Sequence, residues 1–142
     1  MKLYCFGESG HSYKAALALQ LAKIEWDPVF VDFFNGEARS EQYRSQINEM
    51  GEVPVLIDGD TKLTQSGVIQ TYLYNKTGKH GGSNKTEELE VLRWTLWDNH
   101  KVSSVVGNTR YLMNFFPEDK RPQPVIDFNL ARLKGAYRIL EN

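Results

Sequence analysis

The feature that most constrains the fold is a Val-Pro step that opens an apolar run ending at an Asp-Gly-Asp turn, over residues 51–60. Proline has no amide hydrogen, so it interrupts a strand inside a sheet but is tolerated where a strand begins. An Asp-Gly step between two apolar runs is typical of a β-hairpin. We therefore predict two short antiparallel strands, over residues 53–57 and 61–64, joined by this turn.

The same segment indicates a ligand. Val53 precedes the proline, so its backbone can be presented to a molecule outside the sheet. Gln65 and Ser66 open a predicted helix, where backbone N–H groups are unpaired and the helix dipole is positive. Such a position suits a carboxylate. The pattern predicts a peptide-like, acidic ligand.

Around this hairpin the first half of the chain reads as an α/β unit. Its remaining predicted elements are strand 2–6, helix 15–22, strand 29–33, a short helix at 41–47 and helix 66–76. The first three form a βαβ unit. Its two strands are expected to be parallel, and its crossover is expected to be right-handed. The hairpin and its following helix add a ββα unit. The order predicts a mixed four-stranded sheet.

The polar, Gly-rich segment 79–85 is the predicted linker between a domain at 1–78 and a second one at 86–142. One helix is expected from Thr86 to about Phe116, and a second from about 125 to 140, with apolar residues at helical spacing. Two helices bury little surface by themselves. They are therefore expected to pack on the first domain, on another chain or on a part not present in this sequence.

Composition excludes several classes of protein. The 17 basic and 18 acidic residues nearly balance, and no basic run is interleaved with aromatics, which argues against a nucleic-acid partner. No stretch reaches the length of a membrane span or resembles a signal peptide, so a cytoplasmic protein that does not contact membranes is expected. The single cysteine and the three histidines show no metal-ligand spacing, so we expect no metal.

Three motifs in this order resemble the cytosolic glutathione transferases. They are Ser9-Gly10-His11-Ser12, the run Asn-Glu-Met-Gly-Glu-Val-Pro at 48–54, and Leu-Thr-Gln-Ser at 63–66. The first domain resembles that family's thioredoxin-like βαβ-ββα glutathione-binding domain, and the later helices resemble the start of its helical domain. The chain is most similar to bacterial members with a serine-type active site, like the theta and zeta classes. Because family members generally continue further, the resemblance implies an incomplete, truncated all-helical domain. A homodimer is then expected, since it would cover the exposed apolar faces of the two helices.

The resemblance implies a transferase that activates the thiol of glutathione, its co-substrate, for attack on small apolar electrophiles in detoxification. Pro54 is then expected to be cis, and the Val53 backbone to pair with the cysteinyl part of glutathione. Gln65 and Ser66 would take the γ-glutamyl carboxylate. Ser9 would donate a hydrogen bond to the sulfur. Ser12, His11 and Cys5 are the alternatives for that last role.

Further assignments come from places where the chain departs from the family. Ala38 stands where relatives often have histidine, so Arg39 is expected to bind the glycyl carboxylate. Glu52 precedes the Val-Pro step in this glutathione site, and its charge would repel that carboxylate unless Arg39 or a cation from a partner chain compensates. Tyr111 and Phe115 are candidates for the pocket of the second substrate.

Two other functions fit the same residues. A glutathione-dependent disulfide reductase or peroxidase would use the same site with a different second substrate. The lack of a Cys-x-x-Cys pair argues only against the protein supplying its own dithiol. A non-catalytic binding module would keep the fold and the ligand site without turnover.

Overall fold

The computed structural model describes residues 1–142, which form a four-stranded sheet and six α-helices. The strands are β1 (Lys2–Cys5), β2 (Asp27–Phe30), β3 (Val55–Asp58) and β4 (Thr61–Thr64). The helices are α1 (Gly10–Leu21), α2 (Glu41–Gln46), α3 (Ser66–Thr77), α4 (Lys85–Asp98), α5 (Ser104–Asn114) and α6 (Gln123–Leu140). The chain divides into two compact units, Met1–Glu88 and Leu89–Asn142.

The sheet of the first unit is mixed, as predicted. Its strand order is β2-β1-β3-β4, with β1 parallel to β2 and antiparallel to β3, and β3 antiparallel to β4. Tyr4 pairs with Val55, and Val55 pairs with Thr64. The end of β1, the start of β3 and the end of β4 therefore lie at the same end of the sheet, where β1 finishes. We call this end of the sheet the site edge.

Strand β2 begins two residues earlier than expected and contains Pro28. The prediction of a strand at 29–33 assumed that a proline cannot take part in the hydrogen bonds between strands. The amide of Asp27 donates to the carbonyl of Met1 at 2.8 Å, so in the alternating strand the nitrogen of Pro28 points away from β1. Because β2 is an edge strand, the missing donor faces no neighbouring strand.

The two faces of the sheet carry separate cores. Fully buried Leu3 and Leu56 pack with residues of α1 and α3, including Leu19 and Leu73. Neighbouring side chains on β1 alternate in direction, and Tyr4 packs in the opposite core, with Tyr43 of α2. Burying each leucine contributes about 1.5–3 kcal/mol. The sheet is therefore fixed between α1 and α3 on one face and α2 on the other.

In the second unit, the helix predicted to run to about Phe116 is divided by a π-helical turn, Asn99–Ser103. The hydroxyl of Ser103 donates to the carboxylate of Asp98 at 2.8–2.9 Å and so bridges this turn. Helix α6 has Pro124 in its first turn. A proline is tolerated there because the backbone N–H that it lacks would have no partner within the helix. No helix combines the length and the apolar character needed to cross a membrane.

Candidate functional site

Three loops meet at the site edge because of the strand registers. The β1–α1 loop follows Cys5, the segment before β3 ends at Pro54, and α3 begins directly after β4. Helices α1 and α3 both start here. Their unpaired backbone N–H groups make this edge electropositive and suited to an anionic ligand.

Ser9 is the N-cap of α1, as its position before the helix allows. Its Oγ accepts a hydrogen bond from the amide of Ser12 at 3.1 Å. The hydroxyl proton of Ser9 is engaged by no group of the protein. Since the side chain is only half-buried, a ligand can reach it. Capping and donation to a bound sulfur are compatible, because one uses the oxygen lone pair and the other uses the proton.

The alternatives to Ser9 are differently placed. Ser12 is 3% exposed and its Oγ has no hydrogen-bond partner, so a ligand reaches it only if the surrounding atoms move. Burial raises the pKa of the Cys5 thiol, which disfavours the reactive thiolate. His11 Nδ1 lies 3.1 Å from the Oγ of Ser66 and connects the starts of α1 and α3.

The Val53–Pro54 peptide bond is cis, which confirms the expectation from the motif. The backbone N–H and C=O of Val53 have no hydrogen-bond partner in the protein. A donor and an acceptor are thus open at the site edge, as the addition of an extended peptide requires.

Two buried side chains hold this segment in place, and sequence analysis gave neither of them a role. The carbonyl of Glu52 accepts from Tyr43 Oη at 3.0 Å and from Asn48 Nδ2 at 2.9 Å. Burial, with smaller contributions from the charges of Glu37 and Tyr4, raises the pKa of Tyr43 to about 12. The phenol therefore remains a donor at neutral pH. An asparagine in the 48–54 motif was the only available signal.

Gly51 completes this support. Its φ of +67° lies in the left-handed region, and a Cβ at this position would lie 2.9 Å from the carbonyl oxygen of Ala38. Only glycine fits there without a backbone shift.

Gln65 adopts an uncommon backbone conformation for a residue with a side chain, with φ 66° and ψ 119°. Its Nε2 donates to Glu52 Oε2 at 3.1 Å and to Met50 Sδ at 3.4 Å. Ser66, which begins α3, is 3% exposed, so a ligand reaches its hydroxyl only if surrounding atoms such as the His11 ring move. Strain of this kind is found at functional sites more often than elsewhere and persists only where the surroundings impose it.

Arg39 lies against an aromatic cluster and does not pair with Glu52. Its guanidinium carbon is 5.8 Å from the ring centroid of Phe33. Phe6 stacks on Phe33 at 4.7 Å and meets Phe34 edge-on at 5.7 Å. Since Phe6 follows β1 directly, this apolar cluster belongs to the β1–α1 side of the site edge.

Tyr111 and Phe115, the candidates for the second-substrate pocket, belong to the second unit, and both side chains are exposed. A cavity of about 670 Å³ lies between α5 and α6, but other residues line it, among them Met113, Leu133 and Tyr137. The role of Tyr111 and Phe115 stays a prediction.

Comparison with known proteins matches residues 1–75 to the family described as "Glutathione S-transferase, N-terminal domain". Glutathione S-transferase F14 of Arabidopsis thaliana is 41% identical over 73 residues, which are 51% of this chain and 28% of that protein. The structure of a possible glutathione S-transferase from Rhodopseudomonas palustris shares 27% identity with a TM-score of 0.88, over 99% of this chain and 69% of that one.

A glutathione transferase structure from Pseudomonas putida, determined with one glutathione disulfide bound per subunit, shows the same fold. Its TM-score is 0.85 at 18% identity, over 98% of this chain and 62% of that one. The fold predicted from the sequence is confirmed, and the chain belongs to the glutathione S-transferase family.

Proposed function

We propose that this protein binds glutathione along the site edge and activates its thiol for attack on small electrophilic molecules. The family relationship supports the ligand. The observation that carries the proposal is the Ser9 hydroxyl, whose oxygen caps α1 while its proton is engaged by no protein group. A group with this geometry can donate to a thiolate at the start of a helix.

Each part of glutathione has a proposed partner. The Val53 backbone pairs with the cysteinyl residue in the manner of an added strand. Ser66, the amides that begin α3 and the side-chain amide of Gln65 take the γ-glutamyl carboxylate. Arg39, which is exposed, turns from Phe33 to bind the glycyl carboxylate.

The chemistry follows from the acidity of the thiol. A free thiol has a pKa of about 8.5, so little of it is thiolate at neutral pH. Donation from Ser9 and the positive end of α1 favour the thiolate and lower this pKa. The sulfur lone pair then forms a bond to an electrophilic carbon, and the leaving group departs with its electron pair. The protein supplies binding, orientation and anion stabilisation.

Ser9→Ala tests this role. We expect the pKa of bound glutathione, followed by thiolate ultraviolet absorbance, to rise by about 1–2 units, and kcat for a chromogenic aryl halide to fall about 10- to 100-fold at neutral pH. Ser9→Thr keeps the hydroxyl and should restore most of both.

Ser40→Ala is the matched control, since Ser40 Oγ caps α2 by accepting from Tyr43 N at the same 3.1 Å. It removes a cap without touching the proposed sulfur site. Unchanged turnover in Ser9→Ala would transfer the role to Ser12, His11 or Cys5. Glutathione binding without any turnover would instead support a binding module, and turnover with disulfides or peroxides alone would support a reductase.

The proposal extends to the remaining assignments. Tyr111 and Phe115 contribute apolar surface to the electrophile, and the protein acts as a homodimer in the cytosol, where glutathione keeps thiols reduced. Detoxification of small apolar electrophiles is the process that this chemistry serves.

A further inference from the structure

Glu52 is an acidic residue in a site proposed for a ligand with two carboxylates. None of its contacts is with a cation, because its Oε2 accepts only from the neutral amide of Gln65, at 3.1 Å. Arg39, the basic residue expected to compensate it, lies over the Phe33 ring. An uncompensated carboxylate weakens the binding of an anion unless it faces a positive group of the ligand.

The position of Glu52 is fixed by the protein. Its carbonyl is held by Tyr43 and Asn48, and its side chain is tied to Gln65, whose own backbone is strained. Ser66 and the first amides of α3 follow Gln65 directly. One acidic group and one set of anion-binding donors therefore flank a single residue, Gln65.

An α-amino acid group has the complementary charges, an ammonium and a carboxylate on one carbon. Glutathione has one such group, on its γ-glutamyl residue, and this ammonium is its only positive charge at neutral pH. We propose, on the basis of the function proposed above, that Glu52 binds the α-ammonium of the γ-glutamyl residue while Ser66 and the start of α3 bind its α-carboxylate. The site then selects γ-glutamyl thiols with a free α-amino group.

The alternative arrangement has Glu52 facing the glycyl carboxylate and repelling it. The two arrangements predict opposite effects of removing the charge. Glu52→Gln keeps an oxygen that accepts from Gln65 and leaves the carbonyl contacts of Tyr43 and Asn48 in place, so the variant changes only charge. Glu49→Gln, an exposed acid in the same segment, is the matched control.

Calorimetric titration of the full chain with three probes tests the proposal. The probes are reduced glutathione, N-glutaryl-cysteinyl-glycine, which lacks the α-amino group, and glutathione with its glycyl carboxylate converted to an amide. We expect the deamino probe to bind the wild-type protein about two- to fivefold more weakly than glutathione, as loss of an exposed ion pair predicts. Glu52→Gln should bind glutathione and the deamino probe with the same, weak affinity. Glu49→Gln should behave as the wild-type protein does.

Two results would overturn the assignment of Glu52. One is equal binding of glutathione and the deamino probe to the wild-type protein. The other is tighter binding of glutathione by Glu52→Gln together with a gain in wild-type affinity for the amide, which would assign Glu52 to the glycyl end. Failure of the wild-type protein to bind any of the three probes is a separate outcome, since it would overturn the proposed function as well.

Discussion

Gln65 is a residue at which we expect stability and ligand binding to be opposed. Its φ of 66° strains the backbone at the point where its side chain faces Glu52. We expect Gln65→Gly to raise the free energy of unfolding by about 1 kcal/mol, because glycine lacks the Cβ that makes a positive φ costly. The same change should weaken glutathione binding through loss of the amide donor. Urea denaturation and calorimetry measure the two effects.

Lys23→Gly provides the comparison, since Lys23 also has a positive φ, 57°, but follows the far end of α1. It should gain stability and leave the affinity for glutathione unchanged. If Gln65→Gly were instead less stable than the wild-type protein, the side-chain contacts of Gln65 would stabilise the fold by more than the strained backbone costs. Stability and binding would then not be opposed at this residue.

Among individual residues, sequence analysis identified those whose local context is distinctive. Ser9 precedes a helix, Val53 precedes a proline, and Ser66 opens a helix after a strand, so the local backbone setting of each was predictable from its neighbours, whereas its contact with glutathione stays a prediction. The contacts of Glu52 with Gln65 and of His11 with Ser66 join residues 13 and 55 positions apart. Such contacts depend on the strand registers, which no local pattern contains.

Between elements, the hairpin is linked to α3 by an ion pair. The carboxylate of Asp58 accepts from Lys76 and from Tyr72, the latter at 2.6 Å, and these hydrogen bonds lower the pKa of Asp58. A carboxyl group with a lowered pKa stabilises the fold above its unfolded pKa, and this contribution is lost as the pH falls through the folded pKa. The link is therefore expected to be acid-sensitive.

We expect Asp58→Asn to unfold at a lower urea concentration than the wild-type protein at pH 7. The difference should begin to shrink as the pH falls below about 3.9, the pKa of an unfolded aspartate, and should disappear only below the lowered pKa of the folded protein, where the wild-type carboxylate is itself protonated. Midpoints measured from pH 7 to pH 3 test this, with Asp60→Asn, in the exposed turn, as the control. A difference that stays constant down to pH 3 would show that the link does not depend on charge.

The order and type of the elements of the first unit followed from apolar periodicity, glycine and proline. The predicted start of β2 was two residues too late, because the cost of a proline depends on whether its strand lies at the edge of the sheet. That position is a property of the assembled sheet. The π turn was not predicted, since the residues around it carry an ordinary helical pattern. No single residue in this segment is characteristic of a π turn.

At the scale of the whole molecule, the second unit exposes much apolar surface. Ile126, Leu130, Leu133 and Tyr137 share one face of α6 by their spacing. Ile126 and Leu133 are buried, but Leu130 and Tyr137 are each more than two-fifths exposed. An apolar face that is only partly covered is typical of a surface that packs against a further element. This surface supports the proposed association into dimers.

Sedimentation over a range of concentrations tests that association. We expect the wild-type protein to form dimers at micromolar concentration and Leu130→Gln to dissociate about tenfold more readily, because a buried leucine contributes about 1.5–3 kcal/mol to a contact. Leu21→Gln, at an exposed leucine of α1, should leave the equilibrium unchanged. A monomeric wild-type protein at high concentration would exclude the dimer.

The π turn at Asn99–Ser103 also marks where the gene can lose a codon. A π turn holds one residue more than the α-helical turn it interrupts, so deleting one residue within it would leave a continuous α-helix whose flanking residues still face the same way. Val105 and Thr109 would stay in the interior. A one-codon deletion outside these five positions, in the α-helical part of α5, would instead turn the residues after it by about 100° and is expected to be tolerated far less well.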